Sequence, residues 1–185
     1  PFDSTNAYRI CTEQKGLFTW EAWELDGFDD IERLVARAVR PTAPLVALGK
    51  PGEHRGAGRT LTDESKWQGK VADLIKHASL ILVIPANRRG TLWELEFIVS
   101  NGHLGKTIFM MPPTSSPDYA TQMNAVSEDW AATTSECARF GLHLPPYAPL
   151  GRLFRMDGNG NVVEVELPNP QPRDWAAQFQ KLIDL

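Results

Sequence analysis

Cysteine is scarce in this chain: Cys11 and Cys137 are the only two among 185 residues. They lie far apart and match no zinc-ligand spacing, which speaks against a structural zinc module. A fold stapled by several disulfides is also excluded; two thiols in a reducing compartment are the expected state, with one bridge as the alternative. An excess of charge of one sign is missing as well. Nineteen Lys and Arg stand against 23 Asp and Glu, for a net charge of -4. That argues against broad nucleic-acid binding, yet leaves room for a local basic patch that holds one phosphorylated ligand. No apolar run approaches the roughly 18 residues of a membrane-spanning helix, and no signal peptide is recognisable. The chain begins at Pro1 rather than methionine, so a membrane segment upstream of it stays open. His54, His77, His103 and His143 make no metal set: no pair sits at i, i+4, and none has a carboxylate at a ligand spacing. Internal repeats, low-complexity linkers and a Gly-x-Ser-x-Gly elbow are all missing.

What remains is ordinary globular composition, with 42% hydrophobic and 23% charged residues, in a length that fits one domain over residues 1–185. Apolar runs alternate with helical periodicity. Phe28, Ile31, Val35 and Ala38 recur at helical spacing up to Arg40-Pro41. Pro44 to Gly49 reads as a short buried strand, and Thr62 or Asp63 is placed to cap a helix with Trp67, Val71, Leu74, Ile75 and Ala78 inward. Leu80 to Ile84 and Thr107 to Met111 are continuous apolar runs, as expected of strands covered on both faces. Thr91 to about Asn101 lies between them as a helix, and residues 117–140 read as partly helical. Arg152 to Met156 and Val162 to Leu167 flank Asp157-Gly158-Asn159-Gly160, a hairpin signal, and a last helix covers Arg173 to Leu185. Strands alternating with helices predict βαβ units and a mainly parallel sheet, with the hairpin as an edge addition.

Gly90-Thr91-Leu92-Trp93-Glu94 is the stretch most able to carry chemistry. It follows an apolar strand, and ligands of open α/β sheets bind at the carboxyl ends of strands. On a helix, Thr91, Glu94, Leu95 and Ile98 share one side, so Glu94 sits among apolar residues while Glu96 points away. The bland alternative is that Glu94 complements the positive helix end. Arg88 and Arg89 precede the motif, where amides and a guanidinium fork favour phosphate. Residues 49–60 contain four glycines with Lys50, Arg55 and Arg59. They form neither a Walker A loop nor a dinucleotide Gly-x-Gly-x-x-Gly, so a lid over a ligand and a plain solvated loop are both open. The tryptophans read as core, with Trp67 or Trp93 able to stack on a base.

Together, residues 78–84, Gly90-Thr91-Leu92-Trp93-Glu94 and Gly105-Lys106-Thr107-Ile108-Phe109 resemble the nucleoside 2-deoxyribosyltransferase family, whose Gly-Thr-x-x-Glu supplies a nucleophilic glutamate. The layout is also similar to TIR domains, which cleave the nicotinamide–ribose bond of NAD with a helix glutamate near a tryptophan. Residues 45–53, Gly56-Ala57-Gly58-Arg59, Trp67 and Trp93-Glu94-Leu95 look like a bacterial group of TIR-like or transferase-like cytoplasmic domains, often placed after membrane helices. A weaker likeness is to the lysine-decarboxylase-like phosphoribohydrolases. Where the deoxyribosyltransferases usually carry an aspartate, this chain has Asn87-Arg88-Arg89, which points to a phosphorylated ligand. The TIR glutamate usually follows its tryptophan by four residues, whereas Glu94 is adjacent to Trp93.

The resemblance implies a flavodoxin-like three-layer α/β domain that acts on an N-glycosidic bond. Glu94 would be the catalytic carboxylate. Lys50, Arg59, Arg88, Arg89, Gly90, Thr91 and Trp93 would bind the nucleotide, with NAD or another nucleotide as substrate or ligand and with no metal or cofactor required. A cytoplasmic location, a homo-oligomer and no nucleic-acid partner are the accompanying expectations. The alternative is a non-catalytic TIR-like module for signalling, assembly or nucleotide sensing.

Overall fold

A computed structural model describes residues 9–11, 28–40, 44–49, 58–61, 66–111, 120–149, 151–166 and 175–183. In chain order the elements are β1 (Arg9–Cys11), β2 (Phe28–Asp30), α1 (Ile31–Val39), β3 (Val46–Gly49), β4 (Gly58–Leu61), α2 (Trp67–His77) and β5 (Ile81–Val83). There follow α3 (Arg89–Ser100), a short 3-10 turn (Leu104–Lys106), β6 (Thr107–Met111), α4 (Ala120–Ala138), β7 (Arg152–Met156), β8 (Val162–Glu166) and α5 (Trp175–Ile183). The protein is thus a mixed α/β chain.

Its central feature is a four-stranded sheet in the order β5-β6-β7-β8. β5 and β6 run parallel, with Val83 opposite Phe109. β7 runs antiparallel to β6, and β8 antiparallel to β7. The sheet is therefore mixed, where the sequence suggested mainly parallel pairing. The reason is the hairpin, which docks on β6 through β7 and so brings its own antiparallel pairing into the centre. All five residues of β6 are buried, in keeping with an apolar run that must pack on both faces.

The period-two alternation of the strands sorts their side chains into two clusters. On one face Val83, Phe109, Met111, Phe154 and Met156 pack with Val71 and Ile75 of α2, Leu95 and Ile98 of α3, and Trp130 and Cys137 of α4. On the other, Ile108, Met110 and Leu153 pack with Val35, Ala38 and Val39 of α1 and Phe179 of α5. Phe109 and Phe154 stack across strands with centroids 5.2 Å apart, a pair contributing about 0.5–1.5 kcal/mol beyond its buried area.

Two ends of helices show why the chain turns where it does. After α3, Gly102 adopts φ 70, which only glycine takes without strain. Its amide donates to the Val99 carbonyl and that of His103 to Ile98, at 3.1 and 2.9 Å, a Schellman stop that sends the chain back toward β6. Gly141 repeats the motif after α4, and there buried Leu142 sits against buried Cys137. The hairpin turn is held by the Asp157 carboxylate, which accepts from the amides of Asn159 and Asn161 at 2.9 Å. Those bonds and the Asn161 side chain keep its pKa below the usual carboxylate range.

Three local expectations change. Gly58–Leu61 is not loop: it pairs in parallel with β3, Val46 opposite Gly58. α2 begins at Trp67 with Lys66 at the N-cap position and no side-chain cap, so neither Thr62 nor Asp63 is its cap. α3 begins at Arg89, two residues before Thr91. The proposed lid residues 50–57 lie outside the described residues, as do residues 62–65. No helix among the described residues is long and apolar enough to cross a membrane.

Candidate functional site

β5 and β6 are parallel neighbours, so their carboxyl ends open at the same edge of the sheet. The chain leaves β5 there and turns into α3. Arg88 occupies the N-cap in extended conformation (φ -124, ψ 136) without a side-chain cap. Its carbonyl accepts the first helical bond, from the Leu92 amide at 2.8 Å. The amides of Arg89, Gly90 and Thr91 precede that bond and have no acceptor within the helix. A negative group at the strand ends would meet them together with the positive helix end.

Glu94 lies one turn below. Residues four apart on a helix are offset by only about 40°, so Gly90, Glu94 and Ile98 form one line along α3. Gly90 and Ile98 are both buried. Helical side chains lean toward the N-terminus. Glu94 therefore leans over Gly90, which has no side chain to fill that space. The residue is half-buried, whereas Glu96 is exposed. Burial pushes the Glu94 carboxyl up to about 7. No described residue donates a hydrogen bond to it or forms an ion pair with it.

The bland account of Glu94 does not survive the helix boundaries. With α3 starting at Arg89, no acidic residue lies in the first turn. Interaction with the macrodipole fades within that turn, and here the carboxyl is shifted upward rather than down. Desolvation outweighs the opposing charge of the chain's terminal amine on Glu94; a carboxyl so desolvated costs stability, and such groups cluster at functional sites.

Arg88 and Arg89 are both exposed at the helix start, Arg88 as the cap and Arg89 as the first helical residue. Thr91 is half-buried beside them. Trp93 is committed to packing. It meets Trp67 edge-on at 5.1 Å and stacks on Phe97 at 5.4 Å, which ties α3 to α2. Of the two more distant candidates, Arg59 is placed only as a backbone position opposite Ala47 in the β3–β4 pair. Lys50 lies outside the described residues. The structure thus brings together residues 88–94 and leaves the lid's part undescribed.

The lysine of the Gly-Lys motif has a purely structural position. The Lys106 ammonium donates to the carbonyls of Ile75, Lys76 and Ala78 at 2.7, 3.1 and 2.9 Å. It caps the C-terminal end of α2, where a cation is favoured. Cys137 is a free thiol at 0% exposure. Burial pushes its pKa up to about 12, so it is no nucleophile. His77 lies on the last turn of α2, its Nδ1 donating to the Asp73 carbonyl at 2.8 Å. Among the described residues no His, Cys, Asp and Glu converge as a metal site.

One residue escaped the sequence reading. Arg152 opens β7 directly opposite Met111, the last residue of β6. It therefore stands at the same edge of the sheet as the start of α3. No motif marks an arginine at a strand start; only the antiparallel register places it there. No family model, no curated protein and no solved structure matches this chain.

Proposed function

We propose that this chain is a flavodoxin-like three-layer α/β domain of TIR-like or deoxyribosyltransferase-like kind. In this reading it binds a nucleotide, NAD or a nucleoside derivative, and cleaves or transfers at its N-glycosidic bond, with Glu94 as the catalytic carboxylate. One observation carries the reading. Glu94 is a carboxyl without a described partner, set in a buried line of α3, beside the amides at the carboxyl ends of β5 and β6.

The chemistry follows from its surroundings. Cleaving a glycosidic bond builds positive charge on the sugar, and a nearby carboxylate stabilises it or captures the anomeric carbon. In a desolvated site that attraction is stronger than in water. The same desolvation pushes the Glu94 carboxyl up to about 7, far above an ordinary glutamate. A cationic leaving group such as the pyridinium of NAD favours the ionised form and draws the proton away as it binds. The base then departs with the bonding electrons, and water or another acceptor takes the sugar. Arg88, Arg89 and the amides of Arg89, Gly90 and Thr91 suit the phosphate, with Lys50 and the β4 residue Arg59 as the further expected contacts.

The test is to incubate the protein with NAD and with nucleosides and to measure free base by chromatography. Release that disappears in Glu94→Gln supports the assignment; release that persists unchanged in that variant removes it. A second reading, a non-catalytic TIR-like module for nucleotide sensing or assembly, is favoured by the packing of Trp93. Its ring is engaged by Trp67 and Phe97, which leaves it less able to stack on a base. Tight calorimetric binding of NAD without base release supports that reading instead.

A further inference from the structure

We propose that Arg152 is a further phosphate-recognising residue, facing the α3 amides with Arg88 and Arg89 from across the strand ends, so that the substrate class is a phosphorylated nucleotide rather than a bare nucleoside. This rests on the reading of Glu94 given above and deepens it. The register supplies the placement. Val83 pairs with Phe109, and Met111 two residues further on pairs with Arg152. Arg152 is therefore level with the residues just past β5, where the chain turns into α3.

Its face is fixed twice over. Directly opposed residues of an antiparallel pair share a face, and Met111 belongs to the cluster formed with α3 and α4. Alternation along β7 puts Arg152 on the side of Phe154, which is in that cluster too. Arg152 and Glu94 thus border the same side of the sheet at the same end. From β5 to β7 is two strand spacings, roughly 10 Å, with α3 packed over the same face.

The state of the guanidinium gives the reason. Arg152 Nε is buried and has no hydrogen-bond partner, and no described group forms an ion pair with the side chain. A buried donor on a permanent cation, left unsatisfied, costs stability. Arg155 on the same strand differs: its guanidinium donates to the Gly105 carbonyl. A planar fork whose buried Nε has no partner, and which no described group pairs, fits a bidentate phosphate oxyanion.

Two assays on wild type, Arg152→Gln and Arg152→Lys test this. In the turnover assay, Arg152→Gln raises KM for NAD by about 10- to 100-fold with kcat within about twofold, while an unphosphorylated nucleoside is unaffected. In calorimetry with ADP-ribose and with inorganic pyrophosphate, Arg152→Gln weakens binding by a similar factor, and Arg152→Lys restores part of it. Melting temperature does not fall in Arg152→Gln, since no hydrogen bond or ion pair among the described residues is lost. Equal affinity of wild type and Arg152→Gln for both probes overturns the proposal, as does equal loss on NAD and nucleoside. If no base is released by wild type but ADP-ribose binding is lost in Arg152→Gln, the assignment of Arg152 stands and that of Glu94 as catalyst falls.

Discussion

The two ends of the β5–α3–β6 unit treat charge in opposite ways. At the end where β6 begins, Lys106 is embedded in three carbonyls of α2, and the Thr107 hydroxyl donates to the His103 carbonyl at 2.9 Å. The exception is His103, whose Nε2 is buried without a partner. Burial and the nearby Lys106 and Lys76 hold its pKa below the usual range. At the other end stand Glu94, Arg88, Arg89 and Arg152, none of them with a described partner. One end spends its polar groups on tying helix to strand. The other places groups of both signs, without hydrogen-bond or ion-pair partners among the described residues, around helix amides, which is the arrangement a ligand of mixed charge would complete.

The largest effect that can break this contrast is on chemistry. Glu94→Gln keeps the shape of the side chain and removes its charge, so base release is expected to fall by about 10³-fold or more. The same variant sharpens the comparison through stability. Burial pushes the folded Glu94 carboxyl up to about 7, against 4.5 for a free glutamate. Well below the free-glutamate value it is protonated in both states. As pH rises from there through 7 the unfolded chain releases the proton first, so the folded state loses stability, by up to about 3 kcal/mol in all. Denaturant unfolding of wild type and Glu94→Gln is therefore expected to agree near pH 4 and to diverge above pH 7, with the glutamine variant more stable. Equal curves at both pH values would place Glu94 in an ordinary solvated position.

At the structural end the expectation reverses. Lys106→Met removes a cation from three carbonyls and is expected to cost about 2 kcal/mol, seen as a melting temperature lower by roughly 4–8 °C. Turnover per folded molecule stays unchanged. Loss of turnover without loss of stability would mean that the two ends are not separate in role. The smallest effect belongs to Glu96, exposed on the outer side of α3. Glu96→Gln is expected to shift stability by less than about 0.5 kcal/mol and leave base release intact.

Much of this contrast was legible in the chain itself. The Thr107–Met111 strand has the boundaries its apolar run suggests, because continuous hydrophobicity leaves little choice where both faces are covered. Glu94 and Glu96 separate on the helix as the 3.6-residue period requires, one half-buried and the other exposed. The Asp157–Gly160 turn joins strands β7 and β8 as its residues suggest. What escaped depends on partners distant in sequence. Residues 58–60 read as loop because glycine and arginine hide a strand that pairs in parallel with Val46–Gly49. The start of α3 hides behind two arginines that carry no apolar period. The long α4 is interrupted by polar residues over 127–136, which blurs its inward stripe. Arg152 acquires its place from the register of β7 on β6, and Lys106 its role from the end of α2; neither is a local property.

The most direct measurement is the release of free base from NAD by wild type and Glu94→Gln between pH 5 and pH 9. The account predicts that wild-type kcat/KM rises with pH through a midpoint near 7, as the Glu94 carboxyl ionises, and that the glutamine variant is inactive throughout. Base release by Glu94→Gln at the wild-type rate, with the same pH profile, would contradict it.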